Sequence, residues 1–241
     1  MTKGSRIFEV DRLDCRLVAH RWAFAEAQAA EIDRRWAACV SENPALYDGP
    51  VLLACRAEVA AEGAGRVLRL DAFETSFSRF LVWRDFGWPD KGVFNCFAMP
   101  ALRSSDGAFL VGEMAPGHSA AGKRYFPGGT PDPSDVLAGG VVDLTGSLIR
   151  ELVEETGLPA HEGVAEPGWT VLFDEQRIAC IKQLRWPQPA VEIRARVQAF
   201  IASEAEPELC DVHMLRPGPQ TDSRLPTFMV DYLAHAAKLP G

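Results

Sequence analysis

The stretch from Asp143 to Pro159 constrains the fold most, because both ends of a helix are written into it. Asp143 offers a side-chain acceptor to the unpaired amides of a first turn. Gly157 suits the left-handed conformation that closes a last turn, Leu158 supplies the apolar contact that accompanies it, and Pro159 prevents continuation. Between these ends, Glu151, Glu154 and Glu155 recur at i, i+3 and i+4 and project from one face. Leu148, Ile149, Leu152 and Val153 fall on the opposite face and form the expected core side. Three neighbouring carboxylates repel one another, so this face is either solvated or gathered around a hard cation.

Around this helix the periodicity alternates between strand and helix. Residues 6–18 read as strand. Residues 23–42 read as a helix with Phe24, Ile32, Trp36 and Val40 in its apolar stripe, closed by Asn43-Pro44. Val51–Val59 and Arg66–Leu70 read as strands, and Phe73–Trp83 as a helix with Phe73, Phe77, Phe80 and Leu81 at helical spacing. Gly87-Trp88-Pro89-Asp90 marks a boundary, which divides the chain into residues 1–90 and 91–241. Val93–Leu102 and Ala108–Met114 are strands around the turn 104–107, and a loop dense in Gly and Pro runs from Ala115 to Gly140. Trp169–Phe173 and Arg177–Leu184 are strands. Arg196–Ala202 is expected to be a strand after the break at Trp186-Pro187-Gln188-Pro189. Asp211–Leu215 is a short strand, and Leu225–Lys238 a final helix.

Function classes narrow through charge and cysteine usage. The net charge of -8 argues against a nucleic-acid backbone as partner. It leaves a small phosphorylated ligand open, because a bound divalent cation reverses the local field. No apolar run approaches a membrane span and the first residues lack a signal-peptide core, so a cytoplasmic protein without a membrane partner is expected. Six cysteines stand far apart with no Cys-x-x-Cys pair, which reads as reduced thiols rather than a zinc site. The five histidines show no metal-ligand spacing.

Gly117-His118-Ser119-Ala120-Ala121-Gly122-Lys123 nearly spells a phosphate-binding loop. Arg124 stands where Ser or Thr is needed, and Pro127-Gly128-Gly129 blocks the helix that should follow. Lys123 and Arg124 remain candidates for contact with substrate phosphate. The paired glycines Gly128 and Gly129 allow a backbone to approach a ligand closely. A glycine loop followed by a carboxylate-lined helix makes a compact site for a metal-associated diphosphate.

Here the chain resembles the Nudix hydrolase family. The resemblance rests on Phe126-Pro127-Gly128-Gly129 and on Arg150-Glu151-Leu152-Val153-Glu154-Glu155-Thr156-Gly157-Leu158, which matches the second half of the family box at every fixed position. The match is incomplete. No Glu stands where the family places one ahead of the Arg; that position falls near Val142. The loop from Gly129 to Arg150 is also lengthened, by an insertion spanning Pro131–Gly140. The resemblance implies an α/β fold, an α/β/α sandwich with a mixed sheet over residues 91–241, preceded by an α/β extension over residues 1–90. It implies magnesium, with manganese as a substitute, held by Glu151, Glu154, Glu155 and the Gly129 carbonyl, and Arg150 orienting the Glu side chains. It also implies hydrolysis of a nucleoside diphosphate linked to X, with the products a nucleoside monophosphate and phosphorylated X. A further catalytic Glu is expected from a later loop, with Glu175, Glu204, Glu206 and Glu208 as candidates and Glu208 preferred because it precedes a strand. The alternative is a Nudix-fold regulator that binds a nucleotide without cleaving it. The run from Trp36 through Asn43–Pro50, with Thr75–Leu81, looks loosely like the start of nucleotide-sugar diphosphatases of the family. The same extension is otherwise a subdomain that caps the sheet or builds a homodimer interface.

Overall fold

Strand pairing ties the first strand of the sequence to its second half. A computed structural model describes residues 4–44 and 46–239; Met1–Lys3, Pro240-Gly241 and Ala45, one residue of the Trp36–Pro50 run, lie outside the described residues. β1 (Arg6–Val10) and β2 (Arg12–Leu17) are followed by α1 (Ala23–Ala27), α2 (Ala29–Glu42), the hairpin β3 (Pro50–Glu62) and β4 (Gly65–Ser76), and α3 (Phe77–Asp85). β5 (Asn95–Arg103), β6 (Phe109–Met114), β7 (Arg124–Tyr125), β8 (Val136–Leu137) and β9 (Val141–Val142) lead into α4 (Leu144–Thr156). β10 (Val164–Ala165), β11 (Trp169–Asp174) and β12 (Arg177–Arg185) precede α5 (Ala190–Ser203), β13 (Leu209–Leu215) and α6 (Thr227–Ala236).

The protein is a mixed α/β structure built on two sheets. The first has the order β1-β11-β12-β5-β6-β13, with β10 beside β12 and β7 beside β6. β5 and β12 run parallel over their whole length and the other pairs are antiparallel. The second has the order β3-β4-β2-β9-β8, so β8 and β9, from the lengthened loop, extend a sheet otherwise made by the first 76 residues. β1 and β2 are separated only by Asp11 yet pair in different sheets.

Alternation along β5 decides what packs where. Phe97, Met99 and Ala101 face α6 and join Phe228, Met229 and Tyr232. Cys96 and Ala98 face the other way and meet Leu144 and Leu148 of α4 together with Leu52, Leu68 and Leu70 of the second sheet. Leu152 joins Leu102, Leu110 and the α5 residues Ile193 and Val197. The first sheet is therefore sandwiched between α6 and the pair α4 and α5. The far side of the second sheet is covered by α1–α3 through Trp22, Ile32, Phe80 and Trp83. No helix among the described residues is long and apolar enough to cross a membrane.

Three local expectations are corrected. Arg196–Ala202 lies inside α5, not in a strand. Pro189 sits at the N-cap, a position compatible with helix because the missing amide has no partner to lose there. The buried residues Ile193 and Val197 are four apart, a period that the short window could not display. The helix expected from Phe73 begins at Phe77, because Phe73 is still paired with Leu53 in the β3–β4 ladder and Ser76 caps the turn. On α4, Ile149 and Val153 are exposed while Glu151 and Glu155 are buried. The loop carrying Gly128 and Gly129 covers the carboxylate side and turns the helix away from its simplest amphipathic orientation.

Candidate active site

α4 is held at both ends as its sequence dictates. The Asp143 carboxylate accepts from the amides of Thr145 and Gly146 at 3.2 and 2.9 Å. Gly157 takes the left-handed conformation at φ 66° and donates its amide to the Val153 carbonyl. Leu148 and Leu152 are buried, each worth about 1.5–3 kcal/mol of apolar burial, and they fix the rotation of the helix. Glu151 and Glu155 then point under the incoming loop.

That loop is anchored by Phe126, whose fully buried ring meets Tyr232 edge-on at 5.4 Å between centroids. The Gly128 amide donates to Glu155 Oε1 at 2.7 Å. A Cβ on Gly129 would lie 2.7 Å from Glu151 Oε1, and one on Gly128 (φ 156°) would lie 2.9 Å from the Ala98 carbonyl oxygen. Gly128 is therefore required by close approach to backbone, and at Gly129 a side chain would displace the Glu151 carboxylate.

Arg150 stands beside these carboxylates as a bridge. One terminal nitrogen donates to Glu151 Oε1 at 2.9 Å and to Glu154 Oε2 at 3.3 Å. The other donates to both oxygens of Asp135 at 3.3 and 3.2 Å. Burial, with the charges of Glu208 and Glu154, pushes the Glu151 carboxyl up to about 7, against the opposing pull of Arg150. Burial also raises Glu155 well above the carboxylate range, and Glu151, Glu208 and Glu154 add to the shift. Glu208, at an exposed position ahead of β13, thus faces both buried carboxylates electrostatically, and its backbone carbonyl accepts from Ala115 at 2.8 Å.

The three glutamates do not converge. Among the described residues no three carboxylate, imidazole or thiol side chains are arranged to hold a metal ion. Glu154 is exposed and shares one Arg150 nitrogen with Glu151, whereas Glu151 and Glu155 are buried. The remaining pair nevertheless has the donor chemistry for a hard cation. Two carboxylates are buried side by side, and Glu155 Oε2 is buried with no hydrogen-bond partner among the described residues. A buried, unpartnered carboxylate oxygen in a field of like charge gains stability from a divalent cation.

A cleft of about 750 Å³ opens beside Gly128 and Gly129. Phe97 and Phe228 form its floor, where Arg177 lies 5.8 Å over the Phe228 ring and pairs with buried Asp174 at 2.7 Å. Phe77, Arg84 and Trp88 bring one wall from the amino-terminal segment. His118 and Lys123 contribute from the loop after β6. The His118 Nδ1 accepts from the Ala120 amide at 3.1 Å, and burial holds this imidazole below its ordinary value, so Nε2 carries the proton. None of the described residues lining the cleft is acidic, in a protein of net charge -8.

Of the residues singled out in the sequence, Arg150, Glu151, Glu155, Gly128 and Gly129 come together, Glu208 faces them, and Lys123 lines the adjoining cleft. Arg124 stands apart. Its guanidinium is committed to Glu113 at 2.8 Å and Asp222 at 2.9 Å, and it does not line the cleft. Sequence reasoning missed Asp135, Arg84, Trp88 and Arg177. For Asp135 a partial signal existed, because Asp132-Pro133-Ser134-Asp135 has the Asp cap and early Pro of a short helical turn. The others are brought near only by the fold.

No family model matches the chain, and no curated protein matches it. Solved structures similar to parts of it include the MutT protein from Methanosarcina mazei Go1, at 16% identity over 60% of this chain and 94% of that one, with a TM-score of 0.38. A Nudix hydrolase from M. smegmatis is similar at 16% identity over 52% and 74% of the two chains, with a TM-score of 0.34. A bifunctional NMN adenylyltransferase/ADP ribose pyrophosphatase from Francisella tularensis, complexed with AMP and Mn, is similar at 17% identity over 58% and 39%, with a TM-score of 0.36.

Proposed function

We propose that this protein is a divalent-cation-dependent hydrolase cleaving the diphosphate bond of a nucleoside diphosphate linked to a group X. One observation carries the reading: Glu151 and Glu155, both buried, are pressed against Gly128 and Gly129 beside a cleft lined by cations and aromatic rings and by no described carboxylate. Glu151 and Glu155 are the proposed holders of magnesium, or of manganese in its place, with the Gly129 carbonyl and Glu154 as further donors. When bound, the cation supplies neutralisation of the diphosphate oxygens and of the charge that develops as the bond breaks.

The chain's own groups take the other parts. Arg150 keeps the Glu151 carboxylate directed at the glycine loop. A Glu208 carboxylate oxygen, at the exposed rim, accepts the proton of the attacking water. Lys123 and Arg84 face the phosphate oxygens, and Lys123 is free for this because it forms no ion pair among the described residues. Phe97, Phe228 and Trp88 provide faces for a planar base. Residues 1–90 act as an extension that supplies one wall of the cleft to a hydrolase unit spanning 91–241. Nucleotide sugars head the list for X, on the resemblance of the Trp36–Pro50 run.

The test is a panel of nucleoside diphosphate sugars, dinucleotides and coenzyme A incubated with magnesium and resolved by anion-exchange chromatography. A nucleoside monophosphate and a phosphorylated X are the expected products, and Glu155→Gln is expected to abolish them. Tight nucleotide binding with no cleavage of any member would overturn the enzyme reading in favour of a binding regulator.

A further inference from the structure

The lengthened loop ahead of α4 has a distinct internal order. Asp132 begins a short 3-10 turn, accepting from the Ser134 amide at 2.6 Å, while the Asp132 amide donates to Asp135 Oδ2 at 3.1 Å. The Asp135 backbone carbonyl accepts from the amide of Asp143, the cap of α4, at 2.8 Å. β8 and β9 pair with each other and, through Val141 and Arg16, with β2. The Leu17 amide donates to the Gly140 carbonyl at 2.8 Å, and the Leu52 amide to the Pro131 carbonyl at 2.7 Å. The inserted segment is thus pinned at both ends to the sheet made by the amino-terminal residues.

What this pinned segment delivers is Asp135. Its side chain is only 7% exposed as part of the residue, lies outside the cleft, and gives both oxygens to one nitrogen of Arg150. The opposite nitrogen of the same planar guanidinium holds Glu151 and Glu154. A guanidinium cannot rotate while both edges are engaged. Without Asp135, Arg150 is free to swing fully onto Glu151 and Glu154, which would cancel the charge that a cation needs and draw Glu151 away from Gly129.

We propose that Asp135 is a positioning residue of the site: delivered by the inserted loop and held in place by the amino-terminal sheet, it clamps Arg150 and thereby sets the Glu151 carboxylate for a divalent cation. This assigns a purpose to the insertion and joins it to the amino-terminal segment. It rests on the reading of Glu151 and Glu155 as cation-holding residues.

The experiment titrates Mn2+ by electron paramagnetic resonance into the full chain without nucleotide, for wild type, Asp135→Asn and Asp135→Glu. Thermal midpoint, kcat and KM on the best cleaved nucleotide are measured alongside. Asp135→Asn, nearly isosteric, is expected to weaken Mn2+ binding and to lower kcat by roughly 10- to 100-fold, the range for groups that support metal ligands. KM should stay within about twofold, and Asp135→Glu should recover part of the loss because it restores the charge. In an Arg150→Lys background, adding Asp135→Asn should change Mn2+ affinity less than about twofold, since the clamp is already gone. Wild-type Mn2+ affinity and kcat in a folded Asp135→Asn would overturn the proposal, as would a lowered thermal midpoint with Mn2+ binding unaltered. If Asp135→Asn does not fold, Asp135→Ser, which suits a helical turn, takes its place under the same criteria. A wild type that binds Mn2+ but cleaves nothing would sink the hydrolase reading alone, with the Mn2+ comparison still deciding Asp135.

Discussion

Glu151 makes stability depend on pH in a direction opposite to that of a surface carboxylate. Its carboxyl ionises at about 7 in the fold against an ordinary 4.5, because burial and the neighbouring Glu208 and Glu154 outweigh Arg150. Below pH 4.5 both folded and unfolded chains hold the proton and there is no penalty. Between 4.5 and about 7 the unfolded chain releases its proton first, so stability falls as pH rises. Above about 7 the full loss stands. At about 1.4 kcal/mol per pH unit, the difference amounts to roughly 3 kcal/mol. For a chain of this size that corresponds to a fall of roughly 6–12 °C in melting temperature. The measurement is unfolding by circular dichroism in chelator at pH 5 and pH 8, on wild type and Glu151→Gln. Glu155 shifts in the same direction and is raised in part by the Glu151 charge, so the difference between the two proteins reports Glu151 together with its effect on Glu155. Magnesium added at pH 8 should restore most of the loss and at pH 5 little, because only the ionised pair attracts it. An equal pH slope in Glu151→Gln and wild type would refute the reasoning.

Other substitutions separate the roles of neighbouring residues. Gly157→Ala forces a side chain into φ 66° and against the Phe200 ring, and should cost about 1–3 kcal/mol in denaturant unfolding. Arg124→Ala should lower stability by about 1–3 kcal/mol, by removing the half-buried guanidinium that joins Glu113 to Asp222 and leaving them to His213 and Arg224, with KM unchanged. Lys123→Ala should do the reverse, raising KM roughly tenfold at wild-type melting temperature; a raised KM in Arg124→Ala alone would restore that residue to the site. Glu208→Gln should lower kcat by about 10²- to 10⁴-fold with no loss of stability, since the residue is exposed. An unchanged kcat would move the proton acceptor elsewhere.

The helix was legible because its determinants are local. Asp143, Gly157 and Pro159 act on backbone groups within one turn of themselves, and the structure places the cap and the left-handed residue where the sequence puts them. The strands on either side were legible as short apolar runs bounded by turn residues, because they are buried on both faces, apart from boundaries such as Phe73 and Phe77. The α5 segment was misread because a seven-residue window spans only two helical turns and held one fully buried position, Val197.

The sequence by itself determined which carboxylates share a helix face, Glu151 and Glu155 among them, and that a glycine pair precedes them. Only the tertiary structure decided that this face is buried. Helical periodicity specifies relative angles around an axis, whereas absolute rotation is set by what packs on the helix, here Phe126–Gly129 on one side and β5 on the other. It also decided that Arg124 is committed to Glu113 and Asp222, and that Asp135 reaches Arg150 from fifteen residues away. The Asp135 pairing depends on how the inserted loop is hung from the amino-terminal sheet, through backbone hydrogen bonds that carry no signature in the side chains of the residues that make them.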